Sequence, residues 1–599
     1  MGAKPLRILL LAAGVLAPLA LLFYPTAAFY GDWDVNLWLV GYQGEFFRDH
    51  GHFPAVLNLG SAVGLPVPVF YGYSLYPFLG LFAAVLGAGP ALRLGCVLLL
   101  TLEGYALLCA GRNVFRDRRM AWTVAACVLW SVYSLTNLYN RSAVAEYFAT
   151  GFLVATVAFA IAAAADPGRS GLRGYAWLAG LCAVLTLGSH PPTALLAAPC
   201  LGGLALLLGL GWFRGSRQIG APVLRAILTP LALGAVILVP WVYATLRWSR
   251  KLGIIGNYGG LSYYPDRSDS FLGRWSPLPY DGLSVRQGTV GVSTPYLEAP
   301  VIAGLVVLLL LNGVLLYRLR GGPRRSAATV WEGAAAATLG AAVAGCGLFT
   351  ALSLCPTLAA HFGFLGPYVQ FAYRLVSFSN GALLVAVLAS GALVAQRNGF
   401  TRFSRLTEIG GLAALGLAAV GLGIKLDHAA RIEWQCRAPE FTAAGPKAAL
   451  ATEPFGRFAG DYSTPLRYRQ LTAEEAATAI RLDLAVDGRP AAFGTVTPAV
   501  RTVPAATWAL TNVVAFPWND LRLNGRRIPA GELARQGNFF AVRLPAGAST
   551  LQWVWRPDPY WAGLRRLGGI SALALTLATV GVFAYSGTKR LRTSQRVSP

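Results

Sequence analysis

Asp32-Trp33-Asp34 places two carboxylates two residues apart, just after the first apolar run of the chain. A carboxylate there can take the proton of an attacking hydroxyl, as a general base does. Alternatively, the pair can hold a divalent cation that bridges a phosphate. A third reading is structural, because either aspartate suits the N-cap of a helix that begins over Val35–Val40. The stretch from Tyr30 to Pro77 also carries Glu45, Asp49, His50 and His52, with Tyr71 farther on. Carboxylates gathered beside a bilayer surface call for a reason, and a reacting group on a membrane-bound substrate supplies one.

Other polar residues fall at the ends of apolar runs. In Asn140-Arg141-Ser142-Ala143-Val144-Ala145-Glu146, the planar fork of Arg141 fits a phosphate bidentately. Glu146 can hold that arginine or act on a substrate, or the two can simply tie helix ends together. Ser189-His190-Pro191-Pro192 interrupts an apolar run. The prolines end the helix and present His190 there. It can bind phosphate or hydroxyls, or sit satisfied in a core. Arg374, in Phe371-Ala372-Tyr373-Arg374, is a second candidate phosphate ligand, or else an arginine that reaches for the membrane interface.

These residues need elements to hold them. The 599-residue chain is 55% hydrophobic and only 13% charged, with a mean hydropathy of +0.53. A soluble domain carries about 25% charged residues. Several runs approach the ~20 apolar residues that cross a bilayer. The composition is that of a polytopic membrane protein. The net charge of +24 suggests nucleic acid at first sight. The basic residues instead sit in short clusters between apolar runs, as in cytoplasmic loops, so a nucleic-acid partner is not expected. The eight cysteines show no CxxC or metal-like spacing, which indicates neither a disulfide framework nor a zinc site.

Spans are expected at about 6–23, 91–110, 120–138, 147–165, 175–189, 193–212, 226–246, 298–317, 329–352, 380–395, 405–424 and 567–585, with the basic clusters inside. The first is read as a retained helix, not a signal peptide. This makes about twelve crossings with both termini cytoplasmic, or thirteen if the short Phe78–Leu86 segment crosses fully. Outer loops are expected over 25–77, 247–298 and 354–374. The helix centres are nearly free of charge, with Glu103 and Glu332 as exceptions. Residues 427–560 are numerous enough for a folded domain. Thr507–Val514, Phe539–Leu544 and Thr550–Trp555 alternate apolar and polar residues, and Asn524-Gly525 and Pro545-Ala546-Gly547 are turn signals. A small antiparallel β-domain outside the membrane is expected, with Glu474–Ile480 helical. The chain then divides into a transmembrane unit, 1–426, a β-rich domain, 427–560, and a last helix with a basic tail, 561–599.

The acidic first loop is followed by Gly51-x-x-Pro54, Gly60…Gly64-x-Pro66…Phe70-Tyr71-Gly72 and Leu75-Tyr76-Pro77. With Arg141-Ser142-x-x-x-Glu146, Ser189-His190, Tyr373-Arg374, Gly460-Asp461-Tyr462-x-x-Pro465 and Phe516-Pro517-Trp518…Asn524-Gly525, the pattern resembles the GT-C superfamily of polytopic glycosyltransferases that use polyprenyl-phosphate sugars. Within it, the chain is similar to the YfhO-like, PTPS-related branch of bacterial membrane proteins. The chain departs from that pattern at Asn36, where the resemblance leads one to expect histidine. The resemblance implies an all-α, GT-C-like bundle with an extracytoplasmic β-rich domain, in a bacterial inner membrane. It implies an inverting hexosyl or pentosyl transfer from a polyprenyl-phosphate donor to a glycan or lipid-linked acceptor. Asp32 or Asp34 would be the base. Arg141, Glu146, His190, Arg374, His50 and Tyr71 would bind substrate, without a certain cofactor or with a divalent cation. The competing reading is a transporter or flippase for lipid-linked glycans. The scarcity of charge in the helix centres favours chemistry at the surface.

Overall fold

The structure is a computed structural model, and it describes residues 12–23, 33–140, 142–165, 172–215, 217–248, 299–320, 330–363, 369, 372–436, 468–486 and 496–595. Among these, eight helices are long and apolar enough to cross a membrane. The main helices are α1 (Trp33–His50), α2 (Leu75–Leu86), α3 (Ala88–Phe115), α4 (Arg118–Leu129), α5 (Val144–Ala165), α6 (Leu172–Ser189), α7 (Pro191–Gly215), α8 (Arg217–Trp248), α9 (Ala299–Arg318), α10 (Val330–Leu354), α11 (Val376–Ala395), α12 (Ser404–Cys436) and α13 (Pro559–Gln595). The chain is a multi-pass helical membrane protein with a β-rich region before its last helix.

Most expected spans appear as helices with slightly shifted bounds, and the exceptions are informative. The run at 120–138 is not one helix. Asp117 caps α4 by accepting from the backbone N–H of Arg119 and Met120, and the helix ends at Leu129. A short helix, Val132–Leu135, and a π-helical turn, Thr136–Asn140, follow. π-turns concentrate at functional sites because they re-aim side chains. The helix expected to stop near residue 424 continues to Cys436. The stretch from Tyr30 to Pro77, read as an outer loop, contains the 18-residue helix α1.

α1 is held by close packing on α2. A Cβ on Gly44 would lie 2.6 Å from that of Ala83, and a Cβ on Gly80 would lie 2.6 Å from that of Gln43. Small residues at these positions let the two backbones approach, the usual means of helix association in lipid. α2 carries no charge and is 12 residues long. At 1.5 Å per residue it reaches about 18 Å, short of the ~30 Å hydrocarbon core. α5 is buried on nearly every side and packs between α3 and α6. A helix that is apolar all round belongs in a bundle centre.

The β-rich region forms a five-stranded sheet in the order β1 (Arg469–Gln470), β9 (Ala534–Gln536), β10 (Phe539–Leu544), β6 (Thr507–Val514) and β2 (Ile480–Arg481). A four-stranded sheet runs β5 (Ala499–Val503), β11 (Gly547–Trp555), β7 (Asn519–Leu523) and β8 (Arg526–Arg527), and β3 (Ala485–Val486) pairs with β4 (Val496–Thr497). The three alternating runs are strands. Asn524 and Gly525 both adopt positive φ, 51° and 79°, as a tight hairpin turn requires. The sheet is mixed, however. β1 pairs parallel with β9, and β2 pairs parallel with β6. The expected helix over Glu474–Ile480 appears at Ala473–Thr478, opened by a capping box between Thr472 and Glu475.

This region is stitched to the segment after α1. Val63 N–H donates to Asn512 O and Val514 N–H to Val63 O, at 2.8 and 3.0 Å. The Asn512 amide donates to Gly60 O and that of Asn519 to Gly64 O, both at 2.9 Å. Gly64 has a φ of +74°, and a Cβ there would strike the Asn519 side chain. The pattern Gly60…Gly64-x-Pro66 thus makes a docking strand for the sheet edge. Phe516, Trp518, Trp555 and Trp561 cluster with Trp248 of α8 beneath it.

Candidate functional site

α1 begins at Trp33, so Asp34 lies in its first turn. Asp32 and Arg141 fall outside the described residues, and of Asp34 only the backbone is described. Trp33 and Trp38 are buried, 4% and 5% exposed. They pack into the core. α1 turns these rings inward because its apolar face meets the bundle.

The cluster is built on Asn36. Its Nδ2 donates to the Ser142 carbonyl at 2.9 Å, and its Oδ1 accepts from the Tyr76 hydroxyl at 2.6 Å. Ser142 adopts a φ of +49°, a left-handed conformation that costs an L-residue about 1–2 kcal/mol. The bond from Asn36 therefore pins a strained turn immediately after Arg141. The Tyr76 ring lies 6.0 Å from that of Tyr71, and Tyr71 meets His190 edge to face at 6.1 Å. His190 is buried, and its Nδ1 lies 2.8 Å from Thr193 Oγ1 at the start of α7.

On the other side of the Ser142 turn, Glu146 opens α5. Its side chain is 2% exposed and pairs with Arg374, 14% exposed, at 3.3 Å between Oε2 and Nε. Arg374 Nη1 donates to Val369 O at 2.9 Å, and Asn137 Nδ2 donates to Glu146 Oε1 at 3.4 Å. Asn137 belongs to the π-turn. Glu146 was expected to answer either Arg141, which lies outside the described residues, or a substrate, and it also holds Arg374. Sequence reasoning had no means of joining two residues so far apart in the chain. Taking two charges out of water is repaid only when both partners are present, so the pair positions the arginine firmly.

Tyr71, His190, Glu146 and Arg374 are thus brought to one place, with Asn36, Tyr76 and Ser142 as connectors. The backbone of Asp34 is two residues from Asn36. His50 is not part of this group. It ends α1, fourteen residues beyond Asn36, which is about 21 Å along a helix. It is exposed, and its ring lies 4.4 Å from that of Phe46, tilted by 47°. Glu45 is half-buried on the same helix. Burial raises its carboxyl above the usual carboxylate range, opposed by Arg48 and reinforced by Asp49. Among the described residues, no group of three or more His, Cys, Asp or Glu side chains could hold a metal ion.

The arrangement can fix one arginine, Arg374, largely out of water through its pairing with Glu146. A cation so placed suits a phosphate in low dielectric surroundings, where each contact counts for more than in water.

No family model and no curated protein matches the chain. Among solved structures, it is similar to the oligosaccharyltransferase of Archaeoglobus fulgidus, a crystal structure of the complex with zinc and sulfate. The identity is 17%, over 79% of this chain and 59% of that one, with a TM-score of 0.33. The chain therefore spans less than two thirds of the length of that protein, and a likeness at this level bears neither on the fold nor on the activity of this chain.

Proposed function

We propose that the protein is an integral membrane glycosyltransferase of GT-C type. It moves a sugar from a polyprenyl-phosphate donor to a glycan or lipid-linked acceptor on the extracytoplasmic side. The observation that supports this best is the ion pair of Arg374 with Glu146, four residues in sequence after Ser142, whose carbonyl Asn36 holds while Tyr76 leads from Asn36 to Tyr71 and His190. A cation and hydroxyls gathered at helix ends suit a phosphate carried on a lipid.

In this reading, Arg141, Arg374 and His190 stabilise the departing lipid phosphate. Asp32 or Asp34, at the start of α1, takes the proton of the acceptor hydroxyl, and attack on the face opposite the phosphate inverts the anomeric centre. Glu146 orients Arg374, and Tyr71 borders the sugar. A divalent cation at the Asp32–Asp34 pair remains compatible with this scheme, and no step depends on it. Purified protein incubated with a panel of polyprenyl-phosphate sugars, followed by mass spectrometry for lipid phosphate, tests the reading. Release of lipid phosphate from at least one donor is expected. Intact donors throughout the panel would remove its support.

A further inference from the structure

Glu103 lies in the middle of α3, where the helix is otherwise apolar. Its side chain is 6% exposed, and among the described residues it takes part in no hydrogen bond or ion pair. It borders a cavity of about 50 Å3. Five more oxygen-bearing side chains line the same cavity: Ser131, Ser134, Thr150, Ser377 and Asn380. Ser377 Oγ and Asn380 Oδ1 are buried with no hydrogen-bond partner among the described residues. Thr150 Oγ1 lies 2.9 and 3.0 Å from the carbonyls of Glu146 and Tyr147, which uses its proton and leaves its lone pairs. The cavity thus gathers oxygen acceptors from α3, α5, α11 and the broken stretch after α4, around one carboxyl.

We propose that this cavity is a binding site for a monovalent alkali cation, with Glu103 as its charged ligand. Hard cations take oxygen ligands, and six of them are present. Sites of this kind in membrane proteins use interrupted helices, which supply side chains and backbone oxygens at mid-depth. The break after Leu129 meets that description. Among the described residues Glu103 is the only charged side chain in the lining, so a single positive charge neutralises it, and a divalent ion would leave an excess in an apolar bundle. A protonated carboxyl has one proton to give, whereas both Ser377 Oγ and Asn380 Oδ1 lack a partner among the described residues. The volume admits an ion with a little water, since about 10–15 Å3 of such space holds one water molecule. Tyr147 lies within electrostatic reach of Glu103, and the Cys127 thiol in the wall is engaged with Ala414 O.

The site lies directly beneath the cluster described above. Thr150 is one turn below Glu146 on α5, and Ser377 is three residues past Arg374. The proposal stands whether or not the protein transfers sugar.

Thermal unfolding of the purified full chain, titrated with sodium or potassium against choline at constant ionic strength, tests it. A ligand that binds only the folded state raises the melting temperature with concentration. Wild type should be stabilised by sodium or potassium and not by choline, and Glu103→Gln, which keeps shape and size, should lose that response. Asn380→Ala, in the opposite wall, should raise the midpoint concentration at least about tenfold, as loss of a metal-site partner does. It keeps the test open if Glu103→Gln fails to fold. Equal melting temperatures in all three salts would overturn the proposal, because the cavity would then hold only water beside a protonated Glu103. An alkali response that survives both substitutions, or a response to magnesium or calcium alone, would overturn it as well.

Discussion

Asn36 of α1 donates its side-chain amide to the carbonyl of Ser142, 106 residues away in the chain, at 2.9 Å. The same side chain accepts from Tyr76, so both ends of the amide are committed and its orientation is fixed. One residue thereby ties the segment after Asp32 and Asp34 to the turn after Arg141. Asn36→Leu removes both bonds within a buried site. Each partner left unsatisfied costs about 1–3 kcal/mol. Chemical unfolding should register that loss, and donor binding should weaken with it. An unchanged unfolding midpoint would mean that the bridge holds nothing in place.

Arg374→Ala removes a cation that pairs with the buried Glu146. Breaking a buried pair from one side costs about 3–5 kcal/mol. Adding Glu146→Gln to Arg374→Ala should recover part of that loss, because the stranded charge is gone. A double-mutant cycle on thermal stability measures the coupling. Strictly additive effects would argue against the pair as a positioning device.

Arg141→Lys keeps the charge and loses the planar fork. Transfer should fall in Lys and in Ala alike. Activity retained with Lys and lost with Ala would show that only charge is needed. Full activity with Ala would remove Arg141 from the phosphate site.

Outside the membrane, Glu475 offers a pH test. A side-chain hydrogen bond from Arg469, above all, and the capping contacts of Thr472 lower its carboxyl from 4.5 to about 2. A carboxyl depressed on folding contributes stability that is full above the unfolded value and is lost as the pH falls toward the folded one. The β-rich region should therefore weaken in acid over that interval, and Glu475→Gln should flatten the response. Identical acid unfolding curves for the two proteins would contradict this.

Much of the architecture was legible because it rests on local signals. Apolar runs and basic clusters marked the helices, and Asn524-Gly525 marked a hairpin that needs positive φ at both positions. The parallel pairs β1–β9 and β2–β6 were hidden, because two-residue strands are too short to show alternation. The partnership of Glu146 with Arg374 depends on the packing of α5 against the segment before α11, which no spacing reveals. Asn36 looked like a departure from a pattern, and its meaning emerged only from the two residues it joins.

Removal of basicity at the start of α1 addresses the proposed base. A positioned carboxylate contributes about 10²–10⁴-fold to a proton-transfer step. Asp32→Asn, with Asp34→Asn beside it, should lower turnover by that order in at least one variant while donor binding is kept. Normal turnover in both would move the base elsewhere, with Glu45, whose carboxyl is raised by burial, and Glu146 next to be tested.

The most direct measurement places the wild-type protein in vesicles loaded with a polyprenyl-phosphate sugar and an acceptor glycan, and follows bond cleavage and lipid movement in one sample. The account predicts lipid phosphate released in step with glycosylated acceptor, the new linkage having the inverted anomeric configuration. Movement of the intact donor across the bilayer with no bond broken would contradict it and leave a flippase in its place.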